Sequence, residues 1–148
     1  MRPLRAHVAR HSRLTTTRAR AALNIAANDY EVDKIDLAFA AAEARGGFQF
    51  FYSFDMNYSW QQADMVSIVT RHASSSAMYK WKNAVLVSTF NGDSYGDAFW
   101  ASFKTALKAQ GVTVSFAPAF ISYRDPSSAS ALLSAFPSID GFFNWWSW

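Results

Sequence analysis

The chain has no cysteine, which removes disulfides, thiol catalysis and thiolate metal sites and leaves the redox compartment open. It has no run of the ~20 apolar residues that a bilayer-spanning helix needs, so no membrane partner is expected. The first thirty residues lack the continuous apolar core of a secretory signal. No GxGxxG or GxxxxGK(S/T) follows any apolar run, which argues against nucleotide binding. No GxSxG elbow supports a Ser-His-Asp hydrolase, and no spacing of His, Asp and Glu suggests a metal.

Acids are absent from residues 1–20, which hold Arg2, Arg5, Arg10, Arg13, Arg18 and Arg20. The formal net charge of +3 is therefore a property of one end. Without those six arginines, eight of the 14 basic residues remain against 11 acids, a net of −3. A nucleic-acid footprint would lie on the folded body beside its aromatics, and this body is mildly acidic, so no nucleic-acid partner is expected. The arginine- and threonine-rich start has the composition of a mitochondrial transit peptide. It reads more simply as a leader, disordered or wrongly included in the reading frame. His7 and His11 belong to it and receive no role.

What remains is just over half hydrophobic, 51% of 148 residues in all, enough apolar material for one sizeable core. Short apolar runs alternate with segments of helical period. Strands are expected over Ala21–Ala27, Phe48–Phe54, Ala84–Phe90, Val112–Phe116 and Ile139–Trp146. Helices are expected over Asp33–Arg45, Trp60–His72, Phe99–Ala109 and Ser127–Phe136. Asp33–Arg45 carries acids in its first turn, a base in its last and Gly46-Gly47 after it, as the helix dipole and C-cap favour. Continuous apolar strands separated by helices mean an α/β fold with a helix-covered parallel sheet. The pattern allows an open doubly wound sheet or part of a closed barrel. A complete eight-stranded barrel takes roughly 250 residues, so a barrel would be partial here.

In parallel α/β folds the ligand sits at the carboxyl ends of the strands. Those ends carry Asn24 and Asn28-Asp29, then Asp55 and Asn57, then Asn91 and Asp93, then Asp140, Asn144, Trp145 and Trp146. Short carboxylates and amides beside aromatics suit sugars. The polar groups hydrogen-bond hydroxyls in fixed directions, and aromatic faces cover the C–H side of the ring. Glycosidic cleavage further needs two carboxyl groups, one acidic and one basic, across the bond. Each residue also has a plainer reading, because Asp, Asn and Gly end strands in every protein. Asp93 could cap the helix near Tyr95. Asp29, Glu31 and Asp33 could be a solvated helix entrance, and His72 a surface residue at a helix end. The Trp145-Trp146-Trp148 cluster could be core.

Phe50–Trp60 (FFYSFDMNYSW), Val87–Asp93 (VSTFNGD) and Ile139–Trp148 (IDGFFNWWSW) together resemble glycoside hydrolase family 71, the fungal α-1,3-glucanases or mutanases. Ala22–Ala44 looks like the family's second strand and helix. The resemblance runs over about residues 21–148 in order. It implies a partial (β/α)8 barrel of about five parallel strands, the second through sixth. It also implies inverting hydrolysis of cell-wall α-1,3-glucan without a cofactor or an obligate protein partner, and a secreted or wall location. By the same resemblance Asp55 and Asp140 stand nearest the reacting sugar, Asn24, Asn57, Asn91, Asp93 and Asn144 bind substrate, and Trp145 and Trp146 form a stacking platform. The family's first strand and secretion signal have no counterpart before Ala21. An acidic motif resembling WNDYGES, expected to supply catalytic carboxylates, does not occur. The resemblance therefore implies an incomplete catalytic pair, with a glucan-binding remnant or a non-functional product as the alternatives. An unclosed sheet of this kind is also expected to aggregate readily.

Overall fold

The structure, a computed structural model, describes residues 18–145. The leader residues 1–17, with His7 and His11, and Trp146–Trp148 lie outside the described residues. The elements run β1 (Ala19–Ile25), α1 (Asp29–Arg45), β2 (Phe48–Asp55), α2 (Gln62–His72), β3 (Lys80–Trp81), β4 (Ala84–Phe90), α3 (Gly96–Ala109), β5 (Val114–Phe116) and α4 (Ala129–Ala135). Short 3-10 turns stand at Asp93–Tyr95, Ile121–Tyr123 and Pro126–Ser128.

The result is an α/β fold on one five-stranded sheet. β1 pairs with β2, β2 with β4 and β4 with β5, all parallel. The order follows the chain without reversal. A parallel crossover is right-handed almost without exception, so α1, α2 and α3 fall on the same face. Side-chain contacts agree. Phe39 of α1 meets Phe50 and Tyr52, at 5.5 and 5.8 Å between ring centroids. On α3, Trp100 stacks on Phe116 at 4.7 Å, and Phe103 meets Phe54 edge-on at 6.4 Å. Tyr52, Phe54, Val87, Trp100, Phe103 and Phe116 are fully buried in this helix-side core. Strand residues alternate between faces, so Phe51, Ser53, Asp55, Leu86, Ser88, Phe90 and Ser115 belong to the opposite face.

Two expectations about the sheet need correction. Ile139–Trp146 is not a strand among the described residues. Asp140 and Phe143 donate backbone N–H bonds to Phe116 O (2.8 Å) and Pro118 O (2.9 Å), and the segment then leaves the ladder. Its rings turn onto the helix-free face, Phe143 against Phe51 at 5.7 Å and Trp145 against Phe90 at 5.9 Å. The other strand was not expected. β3 is antiparallel to the start of β4, and the residues before it wedge between β2 and β4, where Tyr79 N–H donates to Phe50 O and Leu86 N–H to Tyr79 O. The sheet is therefore four parallel strands with a short antiparallel hairpin, and it is not closed. Smaller shifts have local causes. Trp60 precedes α2 because its indole N–H donates to Asp55 O at 3.0 Å and its ring packs edge-on to Phe54 at 5.1 Å.

The outer helices are tied by Asp36, which takes His72 Nε2 at 2.8 Å and Arg71 Nη1 at 3.3 Å. The His72 hydrogen bond, before the Arg71 charge, holds the Asp36 carboxyl below the usual range. His72 lies flat on Phe39, 4.2 Å between rings, so it packs as well as pairs. No helix among the described residues is long and apolar enough to cross a membrane.

Candidate functional site

The carboxyl ends of β2, β4 and β5 are laced together by the residues that follow them. Met56 N–H donates to Phe90 O at 2.9 Å, and Asn91 N–H donates to Ala119 O at 3.0 Å. On this frame Asp55, half-buried at the end of β2, accepts the Asn57 N–H on Oδ1 at 3.1 Å. That local bond makes an Asx turn and aims the short loop. Asn57 Oδ1 then accepts Asn91 Nδ2 at 3.0 Å across the gap between β2 and β4. Asn91 holds φ 64°, a left-handed conformation that asparagine tolerates better than most residues. Asp93, two residues on, accepts the Ser122 hydroxyl from the turn after β5.

Asp55, Asn57 and Asn91 thus form one hydrogen-bonded series on neighbouring strand ends, and Asp93 stands beside it, bonded to Ser122. The other expected residues stand around it. Asn24, exposed on β1, is in register with Ser53. Trp145, half-buried, meets Phe90 at the end of β4 with its ring edge-on, and its buried indole N–H has no partner. Asn144 lies beside Pro118, Tyr123 and Arg124. Trp146 lies outside the described residues. Asp140 has its contacts elsewhere. Its Oδ2 accepts Lys104 Nζ of α3 at 2.6 Å and the Phe116 N–H at 2.8 Å, and Lys104 also donates to Ser138 O at 2.8 Å. This network fastens residues 138–140 to α3 and the edge of β5.

Some participants were not anticipated. Ser122 stands in a 3-10 turn that no spacing announces. Ser53 and Ser88 are in register with each other on the helix-free face just before the site, both fully buried, and the Ser53 hydroxyl has no partner. Their signal was available, since a serine precedes the strand end in both FYSFD and VSTF. The arrangement offers amides, hydroxyls and carboxylates at short range beside aromatic edges, a surface that can orient a polyhydroxyl ligand. Among the described residues no His, Asp and Glu gather in a group that could hold a metal ion.

Comparison with known proteins gives the same direction. The chain is 30% identical over 136 residues to a glucan endo-1,3-alpha-glucosidase of Schizosaccharomyces pombe, covering 86% of this chain and 31% of that protein. It is 26% identical to the ascus wall endo-1,3-alpha-glucanase of the same yeast, over 85% of this chain and 30% of that protein. A mutanase of Penicillium rubens is 33% identical over 131 residues, 86% of this chain and 26% of its own length. The chain thus spans roughly a third or less of the length of these curated relatives. No solved structure matches significantly. The family model for glycosyl hydrolase family 71 matches residues 20–148, and the chain belongs to that family.

Proposed function

We propose that this chain carries the glucan-facing edge of an α-1,3-glucan hydrolase, with the sheet forming part of a (β/α)8 barrel. The observation that carries the reading is the Asp55–Asn57–Asn91 series at the carboxyl ends of adjacent parallel strands, where barrels place their substrates. A strand order without reversal supports a barrel over an open doubly wound sheet, which needs a switch point for its ligand.

In this reading Asp55 is the carboxylate nearest the scissile bond. Asn57, Asn91 and Asp93 orient the hydroxyls of flanking sugars, and Phe90 with Trp145 and Trp146 gives the aromatic wall. An inverting glycosidase needs two carboxyl groups about 6.5–9.5 Å apart, one protonating the leaving oxygen and one activating water. Asp140 was the expected second member. Its ion pair with Lys104 and its bond from Phe116 N–H fit an anchor better, because protonating it would dissolve the contact that holds residues 138–140. One relative is by name an ascus wall endo-1,3-alpha-glucanase, and a secreted or wall location is part of the same proposal.

The test is sugar release from insoluble α-1,3-glucan by wild type, Asp55→Asn and Asp140→Asn. The asparagine at 55 can still accept the Asn57 N–H, so the turn survives while the acid is lost. Where wild type releases sugar, Asp55→Asn is expected to lower release by about 100-fold or more, the low end for removing a general acid or base, and to leave polymer binding in place. Asp140→Asn is expected to keep release and lose thermal stability. Unchanged release in Asp55→Asn would remove Asp55 from the chemistry. Binding by wild type with no release would support a glucan-binding role, which the amide-rich series also suits.

A further inference from the structure

The turn after β2 carries an aromatic ring that the core does not use. Tyr58 is 49% exposed, and it stands between two anchored residues. Asn57 on one side is tied to Asn91 at 3.0 Å. Trp60 on the other is buried, its ring edge-on to Phe54 at 5.1 Å and its indole N–H on Asp55 O at 3.0 Å. The Tyr58 backbone is held as well. Its N–H donates to Asp55 O at 3.3 Å, and its carbonyl accepts Trp60 N–H at 3.0 Å. The turn is fixed, and its tyrosine is left outside the core.

Other tyrosines of the chain have partners for their rings. Tyr95 meets Phe99 at 4.8 Å, Tyr123 meets Phe136 at 5.7 Å, and the Arg20 guanidinium lies 4.4 Å from the Tyr79 centroid. Among the described residues Tyr58 has neither a ring contact nor a hydrogen bond to its hydroxyl. One exposed tyrosine is ordinary on a protein surface. Its place sets Tyr58 apart, one residue from Asn57 and three from the Asp55 that closes β2. That is the mouth of the proposed barrel and not its packed interior.

A tyrosine offers a flat, amphipathic surface with two side-chain torsions to immobilise, so a ring on a fixed turn loses little entropy on taking a ligand. Asn57 uses its Oδ1 on Asn91, which leaves its Nδ2 to donate. A donor amide and an open ring at consecutive positions fit a pyranose, whose hydroxyl takes the amide and whose C–H face lies on the ring. A purely apolar partner would leave the amide unpaired, which costs free energy.

We infer that Tyr58 is a positioning residue of this site, stacking on the glucose unit beside the one that Asp55 serves. The inference rests on the proposed glucan reading and deepens it. Stacking of this kind holds the ground state and the transition state alike, so its loss weakens binding and leaves turnover at saturation unchanged.

The test is a depletion isotherm on insoluble α-1,3-glucan with wild type, Tyr58→Ala, Tyr58→Leu, Tyr58→Phe and Asn91→Ala, with thermal midpoints measured in parallel. Tyr58→Ala is expected to keep the wild-type midpoint and to bind about tenfold more weakly, the loss typical of a truncated aromatic contact. Tyr58→Leu, apolar but not flat, should fall with it, while Tyr58→Phe stays near wild type because the ring remains. Wild-type binding by Tyr58→Ala or Tyr58→Leu, beside weakened binding by Asn91→Ala, would overturn this inference and leave the proposed function standing. A lowered midpoint in Tyr58→Ala would make the ring structural and also overturn it. No binding by folded wild type would overturn both readings.

Discussion

Gly92→Ala is expected to lower the thermal midpoint by about 6–20 °C. Gly92 sits at φ 108°, directly after Asn91, and a Cβ built on it would stand 2.8 Å from Met56 Cγ and 2.9 Å from Trp100 Cζ2. Neither neighbour can yield, because Met56 is 5% exposed and Trp100 is fully buried. The backbone cost for an L-residue in this region is about 1–2 kcal/mol, and overpacking adds roughly 1–3 kcal/mol. Each kcal/mol moves the midpoint by about 3–4 °C at this chain length. Gly111→Ala is the control. Gly111 also has positive φ, 76°, but nothing lies within 4 Å of its Cβ position, so only the backbone cost applies. Equal midpoints for the two variants would show that the Met56–Trp100 contact is not tight. The Gly92 effect should also reach the site, because the same turn carries Asn91 and Asp93.

Trp100→Ala is expected to have the largest effect on stability, about 3–5 kcal/mol for the lost side chain alone. Its ring lies at the centre of the aromatic cluster, stacked on Phe116 at 4.7 Å and edge-on to Phe99 at 4.9 Å. Its indole N–H donates to Gly92 O at 3.1 Å, so truncation also strands a carbonyl in the buried turn, at roughly 1–3 kcal/mol. Together these approach the whole stability of an ordinary domain, and Trp100→Ala can be expected not to fold. Trp100→Phe keeps the ring and loses the donor, which makes the loss measurable by urea titration. In that background Gly92→Ala should cost less than in wild type, because the six-membered edge it strikes is gone. Additive losses would contradict the packing described here.

The parts of the fold that could be read from the sequence are those fixed by local chemistry. Ala84–Phe90 is a strand with the bounds its β-branched run and following Asn91-Gly92 imply. Phe48–Asp55 is extended by one residue over the expectation. α1 begins four residues before the expected Asp33, at Asp29. β3 escaped notice because two residues show no period, and its turn uses Lys82-Asn83 instead of a glycine signal. The aromatic density of 139–146 imitates a buried strand, yet Phe143 and Trp145 pack across the face rather than along a ladder. The placement of Asp55, Asn57, Asn91 and Asp93 at strand ends was legible, because Asp55 closes β2 and the others follow β2 and β4 within three residues. The Lys104–Asp140 pair was not, since 36 residues separate its members and no periodicity links them.

We propose that the strand-end series recognises α-1,3-glucan. The most direct measurement is co-sedimentation of the purified chain with insoluble α-1,3-glucan, beside β-1,3-glucan and α-1,4-glucan as controls, with circular dichroism to establish the fold. The expected result is protein in the α-1,3-glucan pellet, with binding weakened by Asn57→Ala or Asn91→Ala. Folded protein that stays in the supernatant with all three polymers would contradict the account.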